Sequence, residues 1–473
     1  MKSSFCAIAF CVVLLPAFSA CSLAPNYKVP DAPNPAAFKE AGDWIEAKPE
    51  DAIERSAWWK IFKDPQLDAL EDQVTEANQN LKAALAQYDQ ARAAAREARA
   101  AYFPVITANA GATRQQESLT IANVSSKSLY NDFTMGADLS YEIDVWGRVR
   151  NTVAANEAQA QASAADVAGV ALSLHAELAN DYFTLRGDDA AQAILDKTVE
   201  SDQHALDLTT QRYKGGVAAE ADVDQAKTQL ENAKTQATDM RLQRAQLEHA
   251  VSILTGKAPA DFRLPPAQPV CKLPHIDTGL PSVLLQRRPD IAAAERRVAA
   301  ANAEIGVARA AWFPAFNLTA ALGLESATAA KWLTAPSQFW SLGPSAMMPL
   351  FEGGRISAMT DEARAAYEQM VASYRQTVLA AYGEVEDNLV ALHRLEQENQ
   401  TQTAATAAAE RSLAQANDRY KGGMTIYLDV VAAQNSELQA KLASVNIEVR
   451  RLIASVQLIK ALGGGWQPPP PEK

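Results

Sequence analysis

The sequence predicts a mixed α + β membrane protein whose two halves contain the same elements in the same order. Three observations predict this fold class: landmark residues recur at a nearly constant spacing, two very long stretches lack proline, and short segments alternate between apolar and polar side chains. The chain has 473 residues, of which 48% are hydrophobic, so it can bury a substantial core.

The landmarks recur in one order along the chain. Ala-Tyr-Phe-Pro at 101–104 returns as Ala-Trp-Phe-Pro at 311–314, Gly-Arg at 147–148 returns at 354–355, and Arg-Tyr-Lys-Gly-Gly at 212–216 returns at 419–423. We therefore expect a tandem repeat, in which each unit comprises a helix, a strand pair, a long helix, a turn and a returning helix.

The predicted organisation assigns every segment of the chain to this scheme. It consists of a signal peptide (1–20), a lipidated extended segment (21–63), repeat 1 (64–256), a proline-rich linker (257–283), repeat 2 (284–465) and a proline-rich tail (466–473). Within the repeats, the strands are expected at about 105–116, 133–146, 315–325 and 339–351, and the helix hairpins at 148–254 and 355–462.

The long helices are predicted from the proline-free stretches 148–213 and 355–420, in which strong helix formers dominate. At a rise of about 1.5 Å per residue, each stretch forms a helix of about 100 Å, which is about three times the thickness of a bilayer core. Each stretch ends in Lys-Gly-Gly, which suits a helix end because Gly adopts the left-handed conformation of a C-terminal cap.

The strands carry the membrane signal. Across 133–146, apolar side chains alternate with polar ones, as expected when one face contacts lipid and the other water. The polar face includes Asp138, Glu142 and Asp144, which predict an acidic barrel lumen. The fourth strand is less regular, contains two prolines and is inferred from the repeat. A soluble sheet with one buried face is the alternative.

Four strands are too few to close a barrel, because the smallest membrane barrels have about eight. An open sheet edge in lipid would leave backbone groups unsatisfied, so several protomers must share one barrel. After the signal peptide, no segment has the roughly 18 consecutive apolar residues that a spanning helix needs. The strands are therefore the expected membrane elements.

The first 20 residues have the features of an export signal. Lys2 precedes an apolar run at 5–15, and small residues stand directly before Cys21. The stretch 18–21 resembles a lipobox, which implies cleavage before Cys21 and acylation of that residue. An ordinary signal peptide with an incidental cysteine is the alternative. Cys271 is then the remaining cysteine, so the mature chain can form no intramolecular disulfide.

Two repeats of helix, strand pair, long rod and returning helix, with each rod ending in Arg-Tyr-x-x-Gly, resemble the TolC-type outer-membrane factors. The acylatable Cys21 resembles their NodT-type efflux lipoprotein branch. The resemblance implies a homotrimer in the outer membrane of a Gram-negative bacterium. It further implies a shared 12-stranded β-barrel continued by a long α-helical periplasmic barrel.

The same resemblance implies the function and the partners. The trimer would be a passive duct that receives small molecules from an inner-membrane transporter through a periplasmic adaptor protein. The duct would contact outer-membrane lipid. The cargo is not set by the sequence.

The resemblance also implies functional residues at the two hairpin tips. The adaptor would dock on Arg212, Tyr213, Lys214, Gly215 and Gly216 of the first tip and on Arg419, Tyr420, Lys421, Gly422 and Gly423 of the second. A capped hairpin with no docking role is the alternative.

The pore constriction is expected shortly after the second tip, at Leu428. Family members can place an Asp four positions further on, but this chain has Ala432 there. Asp429 and its repeat mate Asp222 are the substitute candidates for an acidic ring, and the alternative is that both are simply solvated.

An enzyme and a periplasmic adaptor or structural lipoprotein are the alternatives to a channel. An enzyme is disfavoured because the five histidines show no ligand spacing and no phosphate-binding Gly loop or nucleophile motif occurs. We therefore expect no catalytic residue, metal or cofactor.

Nucleic acid is excluded as a partner, since the net charge is −12 and no basic stripe is present. A periplasmic adaptor or structural coiled-coil lipoprotein is the closer rival, but it has no need of duplicated amphipathic strands.

Overall fold

The computed structural model describes residues 22–35, 37–39, 57–116, 118, 129–267, 274 and 287–466. These residues form long α-helices and a four-stranded antiparallel sheet. None of the helices in this part of the chain combines the length and apolarity needed to cross a membrane.

The chain divides into two compact units. The sheet unit contains Tyr88–Ser163 and Ala293–Tyr374 together with the N-terminal residues up to Asp31. The helix unit contains Ala32–Gln87, Ala164–Ala292 and Arg375–Lys473.

Each helix of the second half, and its first strand, has the length of its counterpart in the first half. The first half contains α1 (Pro65–Ala77), α2 (Gln79–Ala100), β1 (Val105–Gln116), β2 (Leu129–Ile143), α3 (Arg148–Lys214) and α4 (Glu220–Leu254). The second half contains α5 (Pro289–Ala310), β3 (Ala315–Ser326), β4 (Gln338–Met347), α6 (Arg355–Lys421) and α7 (Tyr427–Ala461). Both long helices, α3 and α6, have 67 residues, and both returning helices, α4 and α7, have 35.

The long helices extend one residue past the predicted 148–213 and 355–420. The helices before the strands, α2 and α5, end at Ala100 and Ala310, and three-residue turns then precede Pro104 and Pro314. Proline disfavours the helical conformation of the residue before it, which accounts for these turns. Helix α1 was not predicted, although Pro65 follows Asp64, whose side chain accepts from the backbone N–H groups of Gln66 and Leu67 at 2.9 and 3.3 Å.

Both long helices end in the same hydrogen-bonded cap. Gly216 and Gly423 have φ angles of 74° and 70°, which other residues rarely adopt. In each cap the next residue reaches back across the turn: the N–H of Val217 donates to the carbonyl of Arg212, and that of Met424 to Arg419, both at 2.9 Å. This is the Schellman arrangement, and it explains why each Lys-Gly-Gly ends its helix sharply.

The sheet has the order β1-β2-β3-β4, with every neighbouring pair antiparallel. The predicted limits of two strands were wrong. Strand β2 runs from Leu129 to Ile143 rather than over 133–146, because it pairs with the full length of β1 and its chain then turns into α3. Strand β4 ends at Met347 rather than at 351, since Pro349 has no N–H to donate. Pro344 lies within β4, which is an edge strand of the sheet in one chain.

Aromatic contacts and a hydrogen bond to the inter-repeat linker stabilise the helix unit. Trp59 stacks on His175 with ring centroids 4.5 Å apart, and Phe62 packs on Phe183 at 4.9 Å. Arg186 is buried, forms an ion pair with Asp189 at 2.7 Å and donates to the carbonyl of Pro265 at 2.9 Å. The described start of the linker is therefore fixed against α3.

The interior of α3 approaches α7 closely at a glycine. A Cβ on Gly187 would lie 2.3 Å from Cγ2 of Val449, whereas a Cβ on Gly383 of α6 would meet no atom within 4 Å. Valine is stiff at χ1 and cannot swing away freely.

We predict opposite effects of alanine at these two helical glycines. Gly187→Ala should destabilise the helix unit by about 1–3 kcal/mol because the added methyl overpacks the α3–α7 contact. Gly383→Ala should stabilise it by up to about 1 kcal/mol through helix propensity. Thermal unfolding followed by circular dichroism in detergent compares the two, and a Gly187→Ala variant as stable as Gly383→Ala would contradict the close contact.

Candidate functional site: the strand faces and the hairpin tips

The register of the sheet collects polar side chains of all four strands on one face. Asp138 of β2 stands opposite Thr107 of β1 and Ala321 of β3, and Asn317 of β3 stands opposite Glu142 of β2 and Ser345 of β4. Facing residues of an antiparallel pair lie on the same side of the sheet. The polar alternation seen in single segments is therefore continuous across the sheet.

The opposite face is apolar in all four strands. It carries Ile106, Ala108, Ala110, Phe133, Met135, Ala137, Leu139, Leu318, Ala320, Leu322, Trp340 and Leu342. Several of these side chains are well exposed in the single chain, among them Trp340 at 77% and Leu342 at 64%. A continuous exposed apolar sheet face needs a nonpolar surrounding, and a lipid bilayer supplies one.

The three predicted lumen acids have different surroundings. Asp138 lies on the polar face and accepts a hydrogen bond from Nδ2 of Asn109 at 2.5 Å. Glu142 also lies on β2 but forms an ion pair with Arg148. Their side chains are on the predicted face, yet only the charge of Asp138 lacks a cationic partner among the described residues.

Asp144 is not a strand residue, which corrects its assignment to the strand face. Strand β2 ends at Ile143, and the Asp144 carboxylate accepts from the backbone N–H groups of Val149 and Arg150 at 3.0 and 2.9 Å. It also forms an ion pair with the Arg150 side chain at 3.1 Å. Asp144 thus stabilises the first turn of α3 by satisfying its free N–H groups.

Aromatic side chains mark the junction where the strands meet the long helices. Trp146 stacks on Phe313 at 4.6 Å, and its indole N–H donates to the carbonyl of Pro314 at 2.9 Å. A cavity of about 360 Å³ lies beside them, lined also by Glu352 and Arg355. Tryptophan with an apolar body and a bonded N–H is typical of a membrane–water interface.

The predicted lipidation residue, Cys21, lies outside the described residues, but its neighbours are described. Ser22 donates to the side-chain oxygen of Asn151 in the first turn of α3 at 2.9 Å. Arg309, near the end of α5, donates to the carbonyl of Leu23 at 3.2 Å, and Asn302 donates to that of Pro25 at 2.8 Å. Residues 22–25 are therefore held at the strand–helix junction.

The two hairpin tips have the same sequence but different environments. Tyr420 of the second tip is buried, packs on Tyr427 with ring centroids 5.4 Å apart, and has the guanidinium of Arg212 over its ring at 4.6 Å. Their repeat mates, Tyr213 and Arg419, are exposed. The predicted tip residues thus divide into a structural pair and an exposed pair.

The remaining predicted tip residues also lie on the surface. Lys214, Gly215 and Gly216 of the first tip, and Lys421, Gly422 and Gly423 of the second, are all exposed. The glycines additionally form the helix caps.

The constriction candidates lie in the first turns of the returning helices. Leu428 is 55% exposed. Asp222 accepts from the backbone N–H of Ala219 at 3.2 Å, and Asp429 accepts from the hydroxyl of Thr425. Both carboxylates thus lie at helix N-termini, where negative charge is stabilised.

A buried polar layer above the tips was missed by the sequence analysis. Asp202 of α3 accepts from Gln434 of α7 at 3.3 Å, and Gln229 of α4 donates to the neighbouring Asn435 at 2.7 Å. Asp202 is only 1% exposed. The helical spacing could have indicated the burial of Asp202. It stands seven residues from Leu195 and seven from Thr209, and this spacing places all three residues on one helix face, which is buried.

No group of three or more His, Cys, Asp or Glu side chains suited to a metal ion occurs within the described ranges. The apolar and polar strand faces, the interfacial aromatic residues and the long helical hairpins together define a class of protein, the outer-membrane channels.

Comparison with known proteins identifies the family. The family model described as outer membrane efflux protein matches residues 70–257 and 280–464. The chain is 32% identical over 450 residues to the probable efflux pump outer membrane protein TtgC of Pseudomonas putida, covering 94% of this chain and 93% of that protein. It is equally similar, with the same identity and shares, to the outer membrane protein OprJ of Pseudomonas aeruginosa.

A solved structure agrees. The CmeC outer membrane channel of Campylobacter jejuni matches with a TM-score of 0.89 at 28% identity, covering 94% of this chain and 96% of that one. The chain belongs to the outer membrane efflux protein family.

Membership confirms the predicted resemblance to outer-membrane factors and the predicted function. The protein is the outer-membrane channel component of an efflux system in a Gram-negative bacterium. The comparisons favour this reading over the periplasmic adaptor or structural coiled-coil lipoprotein.

Proposed function

We propose that the protein works as a homotrimeric duct, in which three sheets close one 12-stranded barrel continued by helical hairpins in the periplasm. The observation that carries this proposal is the sheet itself, with four strands, one continuous apolar face and two unpaired edges. In lipid, the edges of β1 and β4 would leave backbone N–H and C=O groups without partners. Pairing β4 of one protomer with β1 of the next satisfies them.

The chain beyond the edge strands supports the same assembly. Leu350 and Phe351, which follow β4, are each 91% exposed, and Phe103, which precedes β1, is 70% exposed. Antiparallel pairing of β4 with β1 of a neighbour brings the end of β4 beside the start of β1. The three exposed side chains would then be covered at the protomer boundary.

The duct is proposed to carry its cargo passively along the polar strand face. Asp138 contributes the negative charge there, while the charges of Glu142 and Asp144 are balanced by Arg148 and Arg150. Three copies of Asp138 around the axis would favour cations over anions.

The tips are proposed to dock a periplasmic adaptor, which in turn joins an inner-membrane transporter. The exposed Tyr213 and Arg419 support this assignment, as do exposed apolar residues beside them, Val217 and Met424. Tyrosine and arginine are enriched at binding hot spots. Leu428, Asp429 and Asp222 are proposed to line the constriction next to this surface.

The protein is further proposed to be anchored by lipid on Cys21. The hydrogen bonds that hold Ser22 and Leu23 beside the start of α3 and the end of α5 support this proposal. The start of α3 follows β2 in the chain, and the end of α5 precedes β3. An acyl chain on the cysteine before Ser22 is proposed to enter the leaflet that surrounds the barrel.

We predict that edge cysteines will form a covalent trimer. Ser345→Cys on β4 is combined in turn with Val105→Cys, Thr107→Cys or Asn109→Cys on β1, in a Cys271→Ser background. All four positions lie on the polar face. Within one protomer the two edges are about 14 Å apart, three strand spacings, so a disulfide must join two chains. Oxidised outer-membrane preparations are examined on nonreducing gels.

At least one pair should give a ladder that stops at three chains. The matched control pairs Ser345→Cys with Ile106→Cys, whose side chain is on the apolar face, and should give monomers. A ladder that stops at two chains, or the absence of cross-links in all three pairs, would exclude closure of a trimer through these edges.

The proposed lumen predicts a change in ion selectivity. Asp138→Asn should lower the preference for cations, seen as a shift of the reversal potential under a KCl gradient in planar bilayers, because it removes the field of three carboxylates. Asp138→Glu keeps the charge and is the control. Selectivity that is unchanged in Asp138→Asn would show that this face does not line the conducting path.

Adaptor docking predicts different results for the two tip arginines. Arg419→Ala should reduce copurification of the cognate adaptor at least several-fold while leaving the tip folded, because Arg419 is exposed. Arg212→Ala should instead loosen the tip, since it loses a cation–π contact with Tyr420 worth about 0.5–1 kcal/mol. Hydrogen exchange of tip peptides separates the two effects. Wild-type adaptor binding by a Tyr213→Ala, Arg419→Ala double variant would refute docking at this surface.

A further inference from the structure

The buried polar layer near the tips contains an Asp–Gln pair that is only partly hydrogen-bonded. Nε2 of Gln434 donates to Oδ1 of Asp202, which joins α7 to α3. Oδ2 of Asp202 and Oε1 of Gln434 are also buried, and neither has a hydrogen-bond partner among the described residues. One side chain pair therefore contains one hydrogen bond and two unsatisfied acceptors.

A single proton resolves this shortage. An ionised carboxylate only accepts hydrogen bonds, whereas a carboxylic acid also has one O–H to donate. With Oδ2 of Asp202 protonated, its O–H can donate to Oε1 of Gln434 while Nε2 of Gln434 still donates to Oδ1. The result is a reciprocal acid–amide pair that satisfies both acceptors.

Apolar clusters flank this pair along the helices. On the side of the tips lies an apolar cluster that includes Tyr420, Tyr427 and Val430, and on the other side lies a cluster of Leu195, Ala237 and Leu438. No Lys, Arg or His of the described chain forms an ion pair or hydrogen bond with Asp202.

The titratable neighbours do not favour an ionised Asp202 either. Tyr427 of α7 lies close enough to be influenced by Asp202, and Tyr420 of α6 and Asp222 of α4 also influence Tyr427; none of these side chains is a base. Burial, followed by the influence of Asp202, Tyr420 and Asp222, raises the pKa of Tyr427 to about 12. Burial alone raises the pKa of Asp202 to about 6.

We propose that Asp202 and Gln434 form a proton-dependent latch between α3 and α7. With the proton bound, two reciprocal hydrogen bonds hold α7 against α3; without it, one remains and a buried charge opposes the contact. Helix α7 begins at Tyr427 and carries Leu428 and Asp429 in its first turn. The latch therefore sets how firmly this segment is held, and its role in channel opening rests on the proposed constriction there.

The direction of the pH effect follows from the pKa. A carboxyl whose pKa is about 6 when packed and near 3.8 when exposed favours the packed state in acid and loses that advantage as pH rises through about 6. From these two values, separation of α7 from α3 should be about tenfold rarer at pH 5.0 than at pH 7.5.

Hydrogen exchange on the detergent-purified, full-length channel tests the latch. Peptides covering 427–438 are followed between pH 5.0 and 7.5, corrected for the intrinsic exchange rate, with peptides of the β2–β3 pair as internal reference. We expect the opening equilibrium to change about tenfold with a midpoint near pH 6. A wild-type tip whose opening is independent of pH would overturn the proposal without recourse to any variant.

Asp202→Asn then assigns the effect to the residue. Its amide can donate permanently to Oε1 of Gln434, so the variant should be protected at both pH values as the wild type is at pH 5.0. Asp207→Asn changes an exposed carboxylate on the same helix and should keep the wild-type response. His204→Gln is a second control, because histidine generally changes charge in this range and His204 is exposed nearby. A pH response that survives in Asp202→Asn, or is lost in His204→Gln, would overturn the latch.

Conductance separates the latch from the proposed constriction. If both hold, single-channel opening should become rarer in acid in the wild type and be pH-independent in Asp202→Asn. Exchange that responds to pH with conductance that does not would support the latch and count against a constriction at Leu428.

Discussion

The rest of the structure depends on the antiparallel register that aligns the four strands. This register places most apolar side chains of the alternating segments on one face and most polar ones on the other, and a shift by one residue would mix the two sets. It also leaves backbone groups of β1 and β4 unpaired. In water such edges are tolerable, but in lipid each unpaired group costs several kcal/mol. In the proposed duct, the membrane therefore favours an assembly of protomers over a single protomer.

The sequence predicted the helices far better than the strand ends and the site, and the reasons are local. The ends of α3 and α6 could be predicted from Lys-Gly-Gly because the cap involves only neighbouring residues. It consists of a left-handed glycine and a 2.9 Å hydrogen bond from the residue after that glycine. Asp144 is a polar residue at a position that fits the alternation of β2, so the sequence assigns it to the strand. In the structure its carboxylate instead accepts hydrogen bonds from free backbone N–H groups in the first turn of α3. Strand β4 resisted prediction because the two prolines of its predicted range interrupt the pattern of alternation.

A tandem repeat yields equivalent sequence without equivalent surroundings. Arg-Tyr-Lys-Gly-Gly occurs at both tips, but the second hairpin buries Tyr420 under Arg212 of the first, while Tyr213 and Arg419 remain exposed. No periodicity or motif distinguishes the copies, because the difference arises from which neighbour each tip packs against. Each copy of the motif thus contributes one residue to the contact between the hairpins, Arg212 or Tyr420, and leaves one exposed, Tyr213 or Arg419.

The polar layer shows the same division between stability and control. Replacing Asp202 by an apolar residue would remove a buried acid whose pKa of about 6 means that folding opposes its charge near neutral pH. The clusters on either side already pack α3, α4 and α7 through apolar contacts. Since the acid adds little to that packing when ionised, its presence is better explained by what the proton does to the α3–α7 contact. An apolar residue such as Leu at this position would stabilise the α3–α7 contact equally at every pH. A contact whose stability changes with pH requires a titratable group, because only such a group changes its free energy of burial when it gains or loses a proton.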